Sequence, residues 1–255
     1  MSDTPGFKDH FSGQAAEYTR YRPSYPAELF RWLAGLTTAH DTAWDCGCGN
    51  GQAAVALTPY YRQVIATDPS PQQIAQAQPH ERIRYGVAPA ETSGLDAHSV
   101  DLIVVAQALH WFDFERFYQE ARRVARPGAI LAAVSYGPVR VEGAPDRVVD
   151  RFYYDLIAPY WPPERRYVDE GYATIPFPFP EIMAPTFAMA ADWNLAHLTG
   201  YLSTWSAIKE YEKRQGNNPL ALIGDELAAA WGDPLQERRI SWPLALRVGR
   251  ITAQP

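Results

Sequence analysis

One run of seven residues constrains this chain more than any other: Asp45-Cys46-Gly47-Cys48-Gly49-Asn50-Gly51. Three glycines at alternate positions free the backbone for a tight turn and for close approach to a ligand. Thr42–Cys46, just before, reads as a short strand, and Gln52–Leu57, just after, as a helix. The alternation then continues. A strand at 64–67 ends at Asp68-Pro69, Pro71 opens a helix at 72–78, and Ile83–Val87 is a third strand. Val100–Ala106 is almost continuously apolar, as expected of a strand covered on both faces. A helix at 114–125, capped by Asp113 and stopped by Pro127-Gly128, leads to a fifth strand at 129–135. This order predicts an α/β fold with a doubly wound, mostly parallel sheet.

Both flanks have a different texture. Upstream, Tyr18, Tyr21, Arg22, Tyr25 and several prolines crowd a segment that leads to a helix at 27–36. It reads either as an irregular packed stretch or as a flap (7–26) over a ligand site. Downstream, prolines and aromatics fill 137–180, which predicts an inserted cap (138–180) on a single domain spanning 1–255. A sixth strand (185–195), helices at 199–213 and 220–231, and a last strand at 239–251 follow. Pro243 marks that strand as an edge or a bulge.

Of the 255 residues, 47% are hydrophobic and 20% charged, which is ordinary globular composition. The formal net charge of -6 gives no general attraction for DNA or RNA. The first thirteen residues lack the apolar core of a signal peptide, and the longest apolar stretches (102–106 and 129–134) are too short to span a bilayer. The expectation is a cytoplasmic protein with no nucleic-acid or membrane partner. Its oligomeric state is left open. Cys46 and Cys48, one residue apart, are poorly placed for a disulfide, and no second pair completes a zinc site, so no metal is expected. Lys8, Lys209 and Lys213 are the only lysines. Most cations are therefore arginine forks suited to carboxylates.

At the end of the second strand, Asp68 can accept both hydroxyls of an adenosine ribose. Two cofactor classes use such a loop. A dinucleotide site, G-x-G-x-x-G, would need its third glycine at position 52, which is Gln52. The spacing found is D-x-G-x-G-x-G. It resembles the first motif of class I S-adenosylmethionine-dependent methyltransferases, of the methyltransferase type 11 group. Ala66-Thr-Asp68-Pro-Ser70 and Ala88-Pro-Ala90-Glu91 look like that family's next two segments. Asp101 through Phe112, and Arg123-Val-Ala-Arg-Pro127-Gly128, look like its fourth-strand and fifth-strand motifs. His110-Trp-Phe-Asp-Phe-Glu115, Thr204-Trp-Ser-Ala207 and Arg22-Pro-Ser-Tyr-Pro26 resemble the small-molecule subgroup that includes trans-aconitate methyltransferase.

The resemblance implies a seven-stranded Rossmann-like sheet, S-adenosylmethionine as cofactor and methyl transfer to a small molecule. Gly47 and Gly49 would let the loop hug the methionyl part and the ribose. Asp45 would order that loop or meet the ammonium, and Asp68 would hold the ribose. Ala90 and Glu91 would meet the adenine edge, and Gln107 would lie beside the methionyl end. Cys48, Pro69 and Arg22 complete the expected cofactor set. His110 reads as a base or acceptor-orienting group, or as a structural histidine. Trp111 reads as loop packing or as a substrate contact.

A methyl sulfonium is already activated, so a general base is needed only where the acceptor must lose a proton. A carboxylate acceptor needs a cation instead, and a carboxylate oxygen is the leading expectation. Tyr18, Tyr21, Tyr160, Trp161, Arg165 and Arg166 are the expected acceptor-binding residues on a two-sided lid. Two alternatives stay open: a cofactor-binding protein without turnover, and a nicotinamide-dependent oxidoreductase, which Gln52 disfavours.

Overall fold

The computed structural model describes residues 23–252. The expectations for Tyr18, Tyr21, Arg22 and most of the 7–26 flap lie outside the described residues. Behind Pro26, helix α1 (Ala27–Gly35) buries Leu29, Phe30 and Leu33. Then come β1 (Thr42–Cys46), α2 (Gln52–Leu57), β2 (Gln63–Asp68), α3 (Pro71–Ala75), β3 (Ile83–Val87), β4 (Val100–Ala106), α4 (Phe114–Val124) and β5 (Ala125–Tyr136). β1 pairs in parallel with β2 on one side and β4 on the other, β2 with β3, and β4 with β5. The chain reverses its direction of travel across the sheet between β1 and β4, and in open α/β sheets ligands bind outside such a switch point.

Both faces of this parallel part are covered. On β4, Leu102 and Val104 join one apolar cluster with α1 and α2, while Ile103 and Val105 join another with Phe117 and Tyr118 of α4. This two-residue alternation explains why the strand is apolar throughout.

Several sequence boundaries shift, and two of the shifts have a clear physical cause. The helix expected at 114–125 ends at Val124, because Ala125 is already extended and pairs with Val100. Pro127 disfavours helical geometry at the residue before it, and Arg126 is drawn to the Asp101 carboxylate at 2.9 Å. Pro127-Gly128 therefore lies inside β5, where the register with β4 slips. The helix expected at 199–213 is broken in two. Thr204 turns its hydroxyl back to the Tyr201 carbonyl at 2.6 Å, and Trp205 leaves helical geometry to bury its indole.

Downstream lie β6 (Arg140–Val141), α5 (Pro145–Arg151), α6 (Arg165–Asp169), β7 (Ala188–Trp193), α7 (Leu195–Ser203), α8 (Ser206–Gln215), α9 (Gly224–Trp231) and β8 (Arg238–Arg250). The described sheet has eight strands, one more than expected; the extra is the two-residue β6. β8 pairs with three strands, β5, β6 and β7. Leu244 to Arg250 run antiparallel to β5, and Arg238 to Pro243 run antiparallel to β7. Pro243 falls where the β5 and β6 pairings leave one side of the strand open, so its missing N–H breaks no ladder there. An aromatic cluster of Phe152, Tyr153, Tyr201, Trp205 and Trp242 fills the space under the downstream segments. No described helix is long and apolar enough to cross a membrane.

Candidate active site

The glycine run makes the turn from β1 into α2. Gly47, Gly49 and Gly51 all have positive φ (71°, 53° and 89°), a region that L side chains rarely adopt. At Gly47 a side chain is also excluded by contact: an added Cβ would lie 2.6 Å from the Ala108 Cβ and 3.2 Å from the Phe112 ring. The loop therefore presses directly on the segment after β4. The amides of Gly47 and Cys48 both donate to the Thr67 carbonyl, at 2.8 and 3.0 Å. Asp68 fastens the loop from the β2 side, one oxygen accepting from the Gly49 amide and the other from the Ser70 amide, both at 2.9 Å. Pro69 is half-buried beside it. Cys46 and Cys48 are free and buried, and burial pushes both thiols up, out of the reactive range.

Asp45 has no solvent exposure, and neither of its oxygens has a hydrogen-bond partner among the described residues. Burial pushes its carboxyl up to about 7; the Ala54 amide pulls weakly the other way, without a bond of normal geometry, and Asp68 adds to the rise. A buried carboxylate without partners suits an incoming cation.

The segment after β4 begins with Gln107 at φ 57°, unusual for a residue with a side chain. Its amide donates to the Val134 carbonyl at 2.8 Å and its Nε2 to the Tyr136 carbonyl at 2.9 Å. Its Oε1 is buried without a partner among the described residues. Glu91 accepts the Asp113 amide at 2.9 Å, tying the β3 exit to this segment, and Ala90 is buried beside it. His110 sits in a single 3-10 turn, Leu109–Trp111, almost wholly buried. Its ring lies 4.7 Å from the Trp111 ring, and its Nδ1 is 2.9 Å from the Tyr172 hydroxyl. Burial, with the Arg165 charge adding to it, lowers His110 to about 3. The imidazole is neutral at any physiological pH.

His110 and Trp111 form one wall of a cavity that is partly open to solvent. Trp161, Arg165, Tyr201, Trp205 and Tyr136 close the others. Arg165 uses only its Nε for hydrogen bonds, 2.6 Å from the Tyr153 hydroxyl and 3.2 Å from Asp169. Its guanidinium lies over the Trp161 ring at 4.8 Å, and its two terminal amino groups make no hydrogen bond among the described residues. The indole Nε1 of Trp161 is also buried without a partner among them.

The expected acceptor residues therefore divide. Trp111, Trp161 and Arg165 come together at the cavity. Arg166 is exposed and bonded to the Tyr167 hydroxyl at 3.1 Å. Tyr160 stacks on Tyr211 at 4.7 Å and accepts from Gln215. Neither lines the cavity. Sequence reasoning missed Tyr136, Tyr201 and Tyr172. Trp205 lies inside the Thr204-Trp-Ser-Ala207 motif, which signalled it; the three tyrosines carried no local signal.

The strand order, the glycine loop at the switch point and the acid closing β2 define a class I methyltransferase. The methyltransferase domain family matches residues 44–133. A Dictyostelium discoideum protein assigned as a methyltransferase is 34% identical over 229 residues, covering 88% of this chain and 87% of that protein. A solved structure from Anaeromyxobacter dehalogenans, described as a type II methyltransferase, is 51% identical, with a TM-score of 0.86, and the match covers 92% of this chain and all of the other. A yeast S-adenosylmethionine-dependent methyltransferase is 34% identical over 128 residues, 47% of this chain and 44% of its own length. The chain belongs to the S-adenosylmethionine-dependent methyltransferases and is an enzyme of that class. The nicotinamide alternative left open by the loop falls away. The residues fit the cofactor on their own terms: a cradle that a Cβ would fill at Gly47, an uncompensated carboxylate at Asp45 for an ammonium, and the Asp68 carboxylate at the end of β2 for ribose hydroxyls.

Proposed function

We propose that this enzyme methylates a carboxylate oxygen of a small organic acid, as its likeness to the subgroup containing trans-aconitate methyltransferase suggests. The observation that carries this reading is Arg165, a cation on the cavity wall whose two terminal amino groups have no described partner. A guanidinium fork matches a carboxylate in geometry and charge. Trp161 adds an indole N–H, and the aromatic walls exclude water.

S-Adenosylmethionine supplies an electrophilic methyl group: a carboxylate lone pair forms the new O–C bond, the S–C pair stays on sulfur, and no proton is released. The chain's task is then alignment. Gly47, Cys48 and Gly49 shape the methionyl and ribose site, with Asp45 facing the ammonium and Asp68 the ribose. Pro69, Ala90, Glu91 and Gln107 border the cofactor. His110, neutral and weakly basic, orients the acceptor. The abutment of Gly47 on Ala108, two residues before His110, supports bringing the methyl to the cavity mouth.

The 138–180 segment acts as a cap, since Trp161 and Arg165 come from it. Tyr25, just before α1, sets its ring 6.3 Å from that of Tyr136 on the cavity wall. Assaying methyl transfer against a panel of mono-, di- and tricarboxylic acids, with matched alcohols and amines, tests the reading. Turnover of acids alone supports it; turnover of alcohols or amines alone overturns it.

A further inference from the structure

The cavity sits beside a strained residue that the reaction as derived leaves unused. Tyr172 has φ 63°, a conformation unfavourable for a bulky side chain. It follows Gly171, itself at φ 59°, and the pair turns the chain sharply after α6. Three bonds hold it there. Its amide donates to the Tyr167 carbonyl at 2.7 Å, its carbonyl accepts from Arg247 at 2.9 Å, and Arg247 also donates to the Ile175 carbonyl at 3.0 Å. Glu181 in turn grips Arg247 through two oxygens, at 2.6 and 2.8 Å. The outcome of this bracing is that a fully buried phenol meets His110 Nδ1.

We propose that Tyr172 is a positioning residue for methyl transfer: its hydroxyl donates to His110 Nδ1 and so fixes the imidazole as the tautomer carrying its proton on Nε2. Resting on the carboxylate reading above, this makes His110 a second hydrogen-bond donor to the acceptor beside Arg165, and not a base.

The direction of the bond follows from counting donors and acceptors. Both groups are neutral: burial holds the phenol protonated and the imidazole unprotonated. If Nδ1 carried the proton, it would donate to the phenol oxygen and leave the phenol hydrogen buried with no described acceptor, a costly arrangement. With the phenol as donor the phenol hydrogen and Nδ1 satisfy each other, and Nε2–H remains for the cavity that His110 lines. The partner on one ring nitrogen sets the function of the other. Arg165 is the charged group acting on the ring. A donor next to a cation strengthens the preference for an anionic acceptor.

Nitrogen-15 NMR of the full chain, labelled at histidine, tests the tautomer without reference to any acceptor. The expected spectrum at pH 7.5 has a protonated Nε2 and an unprotonated, hydrogen-bonded Nδ1 for His110. Tyr172→Phe should remove the hydrogen-bond signature and lower kcat about tenfold, the effect of one ordinary hydrogen bond, with KM for S-adenosylmethionine unchanged. Should that variant fold poorly, His110→Gln serves, because its amide N–H reaches the Nε2 position and cannot act as a base. It should retain several-fold more activity than His110→Ala. A proton found on Nδ1, wild-type kcat in Tyr172→Phe, or equal loss in His110→Gln and His110→Ala each overturns the proposal. The carboxylate reading fails separately, through the acid panel, and the NMR result stands either way.

Discussion

On the function proposed above, the half of the molecule that would face the donor and the half that would face the acceptor solve the same problem by different means. Between Thr42 and Tyr136, position is set by backbone. Three positive-φ glycines, two amides on one carbonyl and two more on Asp68 place the loop without a long side chain reaching into it. Between Tyr136 and Trp205, position is set by side chains from distant elements: two tryptophans, an arginine and two tyrosines around one cavity. A backbone site tolerates no added atom, whereas a side-chain site can be re-tailored one residue at a time. That difference suits a fixed donor and a variable acceptor.

The comparison breaks most sharply at Gly47. Gly47→Ala adds a left-handed strain and a collision with Ala108, together costing about 3 kcal/mol of stability, read as a lower denaturant midpoint at unchanged slope. Asp68→Ala comes next. It should weaken S-adenosylmethionine binding by about 1–3 kcal/mol in calorimetry, since the ribose contact and the anchoring of Gly49 are lost together. On the acceptor side Arg165→Ala should raise the acceptor KM by about thirtyfold, near 2 kcal/mol, with cofactor affinity kept. If cofactor affinity falls as far, the two halves are not separable in this way.

Asp45 gives a smaller, pH-dependent effect. In the ligand-free protein its carboxyl titrates near 7. Affinity for a ligand with a cationic ammonium should therefore fall as pH drops from 8 to 6, and Asp45→Asn should flatten that dependence. Stability has the opposite sense. The folded chain holds the Asp45 proton more tightly than the unfolded one, whose pKa is near 3.8, so stability is lost as pH rises from 4 through 7. Asp45→Asn should then gain thermal midpoint over wild type at pH 8 and little at pH 4. Smallest of all, Arg166→Ala should leave acceptor kinetics and thermal midpoint unchanged, because its side chain turns to Tyr167 outside the cavity.

How legible each half was follows from the same division. Thr42–Cys46, Gln52–Leu57, Ile83–Val87 and Val100–Ala106 were read with their observed bounds, because local periodicity and glycine spacing determine them. The closeness of Gly47, Asp68 and the segment after β4 follows from strand order alone. Arg165 and Arg166 could not be told apart, since adjacent residues on a short helix point in different directions and only the packed partner decides which is used. Tyr172 was not visible, because its position comes from a conformation tyrosine normally avoids, imposed by Arg247 seventy-five residues away. The break at Thr204 escaped because helical propensity continues across it and only the burial of Trp205 interrupts it.

The shared strand β8 sets a timetable for folding. The parallel pairings β1–β2, β2–β3 and β4–β5 join neighbours in sequence through short crossovers, so they can form early and locally, while β1–β4 closes a longer loop. The β5–β8 pairing is of another kind: Arg250 reaches back to the Gly128 carbonyl across 122 residues and to the Leu36 carbonyl across 214. Pairings at such separation are slow, because the loop must be closed before any contact rewards it. Until β8 arrives, β5 presents an unpaired edge rich in alanine and valine, open to the wrong strand. During synthesis the donor-side sheet therefore waits for the last strand, and that interval is when this chain is most exposed to misassociation.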